Sequence, residues 1–332
     1  MRCVTHFPLA ADEAPTDHTY LKLRDGSLFC VAGNEHTKND VLGCLWYARS
    51  ASGALVKVGP DIKRDPHAHR GLLARAGVRS WPGTSLQAVR RASVTLAENP
   101  VLRLHELTER TQPRGAAAAA LEKLMTAFRY SGGDPDSLGI TGSAAFRAAH
   151  QMETDLDLLL YGGLTLARFA CAVSGDFEAF SALDPADERR SGYVRERPGL
   201  FPGPELAERR SDVGWCGPVK VDLTEVGPPQ EPVADLIFDR PRSAMGELTG
   251  VVESVARGYP IRCQLEGGAP VVVVTRRGWQ GILQPGDQIS TSGVLYSSPS
   301  GDEFVVDEFG RDPVIAARDF RVSNGERKSA CQ

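Results

Sequence analysis

The sequence predicts an α+β protein in three parts, spanning residues 1–114, 115–242 and 243–332, that ends in a small β-rich domain. Three observations carry this expectation. The first part holds β-rich runs around an Asp25-Gly26 turn, together with one helical stretch. The middle contains a run that reads as strand, turn, helix and strand. The last part breaks into short strands punctuated by Gly and Pro.

In the first part, TYLKLRDGSLFCVAG places two β-rich runs either side of Asp25-Gly26, the residue pair that suits a tight hairpin turn. DVLGCLWYARS reads as a further strand, and SLQAVRRASVTLAEN as a helix with Ser85 at its N-cap. TQPRG then interrupts the pattern. The second part opens on AAAAALEKLMTAFRYSG, a strong helix former stopped by Gly132-Gly133. LTLARFACAVS and GDFEAFSAL read as helical, and Asp184 to about Gly217 as a loop rich in Arg, Gly and Pro. PVKVDLTEV alternates like a strand and ends at Pro228-Pro229. The third part offers GELTGVVESVA, YPIRCQLEG, APVVVVTRR, QISTSGVLYS and DEFVVDEFG, the pattern of a small antiparallel barrel or sandwich.

Composition narrows the class. At 42% hydrophobic and 24% charged residues the chain is globular, which excludes a disordered linker protein. It contains no run of eighteen apolar residues, so no membrane helix is expected. MRCVTHFPLAADEAP has no apolar targeting core, and the expected location is the cytoplasm. The seven cysteines are scattered, odd in number and never in a C-x-x-C pair, which argues for free thiols and against a zinc site. The formal charge of −4 gives no basic surplus for gripping long nucleic acid.

The chemistry concentrates in SLGITGSAAFRAAHQMETDLDLLLYGG, residues 137–163. Leu138 to Thr141 form a short strand; Gly142 permits a tight turn, Ser143 supplies a hydroxyl, and Ala144 to Gln151 start a helix. Free N–H groups at that start suit phosphate oxygens. A second strand follows from Thr154 to Tyr161. Its side chains alternate, so Leu156, Leu158 and Leu160 face the core while Asp155 and Asp157 share the opposite face. Two carboxylates about 7 Å apart along a strand repel one another unless solvated or bridged by a cation. Oxygen ligands of this hardness suit Mg²⁺, whose usual co-ligands are phosphates.

Gly142-Ser143, eleven residues, then Asp155-Leu156-Asp157 resembles the signature of the DNA polymerase β-type nucleotidyltransferase superfamily, and in particular a group of predicted prokaryotic nucleotidyltransferases. The resemblance implies a polymerase-β-like core, a mixed sheet with helices, over residues 115–242. A β-containing N-terminal domain and a C-terminal OB-like β-barrel would flank it. It implies two Mg²⁺ or Mn²⁺ ions held by Asp155, Asp157 and a third carboxylate on a later strand. Asp222 is the candidate, sharing a strand face with Lys220 and Thr224; Glu225 and Asp235 are its rivals. Gly142 and Ser143 would then contact the triphosphate of an NTP. Lys220, Arg189, Arg190 or Arg195 would meet the departing charge. The implied reaction transfers a nucleoside monophosphate to an acceptor and releases pyrophosphate. The acidic balance tilts the acceptor towards a small molecule or a protein hydroxyl; the alternatives are an RNA or tRNA end, or a nucleotide-binding protein without turnover.

Other features read as structural. His67 and His69 lack a third ligand, and a surface loop accounts for them. His150 reads as a helix-end histidine. Trp46, Trp215 and Trp279 read as core or groove residues, although Trp279, Tyr259 and Tyr296 would be base-stacking candidates on an OB-like barrel.

Overall fold

The structure is a computed structural model. It describes residues 6–7, 15–50, 52–64, 68–81, 86–110, 115–145, 155–174, 179–182, 213–256, 258–268, 270–275, 282–297, 301–306 and 314–316. These mix α-helices with largely antiparallel sheets and fall into two compact units. One is built on residues 98–226, and the other joins residues 6–97 to residues 227–318. The sequence reading in three parts thus meets a different division: its first and third parts form one unit, and the middle unit begins earlier, at Glu98.

The N-terminal sheet is built from β1 (His6–Phe7), β2 (Tyr20–Leu23), β3 (Leu28–Val31), β4 (Asp40–Arg49), β5 (Leu55–Lys57), β6 (Val78–Ser80), β7 (Gln87–Arg90) and β8 (Val94–Glu98). Helices α1 (Gly59–Arg64) and α2 (Arg70–Arg75) interrupt the strands. The strand order is β1-β8-β2-β3-β4-β7-β6, with β5 on β4. β2 and β3 form the expected hairpin, the Asp25 carboxylate accepting from the Ser27 amide to shape its turn. The expected helix over SLQAVRRASVTLAEN is not formed. β7, a 3₁₀ turn at Arg91–Ser93 and β8 take its place, because Val89 pairs with Val41 and Ala97 with Leu21 across the sheet. Cross-strand pairing of these apolar residues overrides the local helical preference. His69 lies in the turn before α2.

The central unit opens on α3 (Pro100–Arg110), a helix additional to those expected from the sequence. The Asn99 carboxamide oxygen accepts from the amides of Val101 and Leu102, and Pro100 stands at the first helical position. α4 (Ala116–Tyr130) follows, then β9 (Leu138–Thr141), β10 (Asp155–Leu160), α5 (Leu166–Ser174), β11 (Ser181–Ala182), β12 (Val213–Cys216) and β13 (Val219–Glu225). The sheet runs β11-β12-β13-β10-β9, with β10 and β13 parallel and the other pairs antiparallel. Two expectations are corrected here. The end of GDFEAFSAL is strand β11, paired to Gly214 and Trp215, and the end of the expected loop is strand β12. Leu121, Leu124 and Phe128 of α4, Leu156, Leu158 and Leu160 of β10, and Val219, Val221 and Leu223 of β13 share one buried core. Burying each such side chain is worth about 1.5–3 kcal/mol, so the alternation in DLDLLL and VKVDLTE fixes which faces turn inward.

The C-terminal strands are β14 (Arg242–Ala256), β15 (Ile261–Leu265), β16 (Val271–Val274), β17 (Gln288–Tyr296), β18 (Glu303–Val306) and β19 (Val314–Ala316). They run β14-β15-β16-β18-β17, and β17 pairs back to β14, which closes a five-stranded barrel. β16 and β18 are parallel. The first part of β14 pairs with β17 and its end with β15. β19 lies along the start of β17.

Barrel and N-terminal sheet share a core. Ala32, Leu42 and Ala88 pack with Phe238, Val273 and Tyr296. Arg262 bridges Glu35 and Glu303, and the Asn34 amide donates to the carbonyls of Gly227 and Pro228. Tyr259 and Tyr296 are buried, the former donating its hydroxyl proton to the Thr275 carbonyl. Neither is a base-stacking platform, and Trp279 lies outside the described residues. Cys30, Cys44, Cys216 and Cys263 are free thiols, but Cys171 is disulfide-bonded, against the expectation that all seven are free. Spacing along a chain does not report which thiols a fold brings together. Among the described residues no helix is long and apolar enough to cross a membrane.

Candidate active site on the central sheet

β9 carries Leu138 and Ile140 into the core and ends at Thr141. Gly142 then takes φ +66, a left-handed conformation that costs any residue with a Cβ, and a single 3₁₀ turn runs from Gly142 to Ala145. A Cβ on Gly142 would overlap Oδ2 of Asp157. The glycine therefore serves twice, permitting the turn and leaving room for the carboxylate beside it. Ser143 is half-buried, while Ala144 and Ala145 anchor the far side of the turn in the interior.

β10 presents Asp155, which is exposed, and Asp157, which is half-buried, opposite its core leucines. Across the antiparallel pairing Asp157 faces Thr141; across the parallel pairing it faces Asp222, and Asp155 faces Lys220. Residues in register on neighbouring strands point to the same face about 4.8 Å apart. One side of the sheet thus carries Asp155, Asp157, Asp222 and Lys220, three carboxylates and one ammonium. Lys220 Nζ is ion-paired with Oδ2 of Asp222.

Of the rivals to Asp222, Glu225 is committed elsewhere: its Oε1 accepts from the Leu166 amide at the start of α5, 2.8 Å away. Asp235 belongs to the other unit. Arg189, Arg190, Arg195, His67 and His150 lie outside the described residues. Among the described residues no three His, Cys, Asp or Glu side chains are gathered closely enough to hold a metal as they stand. The donor chemistry nevertheless fits a hard dication, since the face offers only oxygen ligands and seats a cation, the Lys220 ammonium, against one of them.

One neighbour escaped the sequence reading. Arg103 of α3, largely buried, donates from Nε to the Ala144 carbonyl at 3.1 Å and from Nη1 to Glu106 at 2.7 Å. The signal for it was Asn99-Pro100, a cap and a first-turn proline that announce α3. Beside it, Glu98 is buried with neither carboxyl oxygen hydrogen-bonded among the described residues, and burial pushes its carboxyl well above the usual range, against the opposing pull of Arg103. Comparison of the chain with protein-family models, with curated proteins and with solved structures found no match.

Proposed function

We propose that this chain is a metal-dependent nucleotidyltransferase, built on a polymerase-β-like core, that moves a nucleoside monophosphate from an NTP to an acceptor hydroxyl or phosphate. The observation that carries the reading is the convergence of three sequence-distant features. The Gly142 turn abuts the Asp157 carboxylate, and Asp157 stands in register with Asp222 on a parallel strand. In this reading the amides and hydroxyl of Gly142-Ser143 take triphosphate oxygens. Asp155, Asp157 and Asp222 hold two Mg²⁺ or Mn²⁺ ions. Such ions, when bound, acidify an attacking hydroxyl and neutralise charge on the phosphates. Lys220 stands where an ammonium can follow negative charge onto departing pyrophosphate. The β16–β18 parallel pair and the strand order of the closed barrel are what an OB-like domain would present, and acceptor selection is assigned to that barrel or the N-terminal sheet.

The Lys220–Asp222 ion pair favours one second reading, a protein that binds nucleotide but does not turn it over, with the lysine permanently replacing a metal. One experiment separates the two. The protein is incubated with each NTP, Mg²⁺ or Mn²⁺ and a metabolite extract, and pyrophosphate is followed beside an Asp157→Asn variant. The substitution keeps the shape and removes a charged ligand. Turnover should fall at least a hundredfold, about 3 kcal/mol in barrier, without loss of melting temperature. An equally active, folded variant would rule this strand out as the active site.

A further inference from the structure

The helix before the motif holds the motif's turn in place. α3 packs against β9, and Arg103 reaches from it to the backbone of the turn that follows β9. The guanidinium is fixed at two points, the Ala144 carbonyl and the Glu106 carboxylate one helical turn away, and is mostly shielded from water. We infer that Arg103 is a positioning residue for the triphosphate-binding turn, acting through the Ala144 peptide; this rests on the nucleotidyltransferase reading above.

A trans peptide is planar, with its C=O and N–H on opposite sides. Fixing the Ala144 carbonyl towards α3 therefore aims the Ala145 N–H away from α3, and limits how the amides of Gly142 to Ala145 can rotate. Charge itself is not what Arg103 offers, because Glu106 neutralises it at 2.7 Å. Lysine cannot reproduce the two-point grip, since a single ammonium lacks the planar fork.

Inorganic tripolyphosphate is the probe, since it carries the triphosphate without a base. Its affinity is measured by calorimetry on the full chain, alongside amide hydrogen exchange of the segment 138–145. Wild type, Arg103→Met and Arg103→Lys are compared. Arg103→Met should lose tenfold or more in affinity and exchange about tenfold faster across the turn, with α4 unchanged; Arg103→Lys should fall between. If Arg103→Met does not fold, Arg103→Lys and Glu106→Gln carry the comparison. Weaker binding with unchanged exchange would mean that Arg103 acts by charge, and faster exchange with unchanged binding that the turn does not need it; either overturns the inference. A wild-type protein that binds no tripolyphosphate overturns the underlying reading itself, and does so before any variant is made.

Discussion

Gly142→Ala isolates the turn from the fold, because the structure supplies its own control. Gly142 and Gly162 have nearly the same backbone, φ +66 and φ +64, in the same unit. At Gly162 a Cβ would meet nothing within 4 Å, whereas at Gly142 it would overlap the Asp157 carboxylate, with Cγ 2.9 Å away. Each alanine incurs about 1–2 kcal/mol for the left-handed conformation, offset by about 0.4–1 kcal/mol from a less flexible unfolded chain. The net, about 1 kcal/mol, lowers the melting temperature by roughly 3–5 °C in a unit of this size. Only Gly142→Ala must also push Asp157 aside. Displacement of a reacting group by about 1 Å costs on the order of a hundredfold in rate, or about 2.7 kcal/mol. Pyrophosphate release with Mn²⁺ and calorimetric melting should therefore give two variants of similar stability, of which Gly142→Ala alone is inactive. A Gly142→Ala protein with wild-type turnover, or a Gly162→Ala protein equally impaired, refutes the placement of the site at this turn.

Two buried groups predict opposite pH dependences in the two units. The neutral His36 ring donates from Nε2 to the Pro15 carbonyl and accepts from the Leu42 amide at Nδ1, so protonation would set two N–H groups against each other. Burial first, and Arg91 after it, depress its pKa from 6.5 to about 4 against the pull of Asp17. The unfolded chain takes up this proton first, so stability is lost as pH falls from 6.5 to about 4, by about 3 kcal/mol; urea unfolding should show a flatter slope over that window for His36→Gln. Glu98 runs the other way, because its folded carboxyl holds its proton well above 4.5. Its contribution is fully present below 4.5 and is lost as pH rises towards the folded value, so Glu98→Met should gain most over wild type in urea at pH 7–8 and least at pH 5.

What the sequence disclosed followed the reach of each signal. The alternation in DLDLLL and VKVDLTE located β10 and β13 and divided their faces correctly, because inward leucines and valines face one core. The hairpin at Asp25-Gly26 and the helix from Ala116 were legible for the same local reasons. The register of Asp157 with Asp222 was not, since it joins strands separated by more than fifty residues and is set by the shared core beneath them. The helix expected from Ser85 failed where cross-strand partners, Val41 and Leu21, outweighed local propensity. Arg103 has no signature of its own, because its partner is a main-chain carbonyl, and a carbonyl has no letter in the sequence.

The split of one unit into residues 6–97 and 227–318 has a consequence for biosynthesis. Ala32, Leu42 and Ala88 leave the ribosome long before Phe238, Val273 and Tyr296, the residues that cover them. The Arg262–Glu35 bridge spans 227 positions of chain. The inserted unit is built on the continuous stretch 98–226, all of which is synthesised before the later strands. Until the barrel strands, Arg242 to Val306, have emerged, the waiting sheet carries an apolar face that is open to wrong partners.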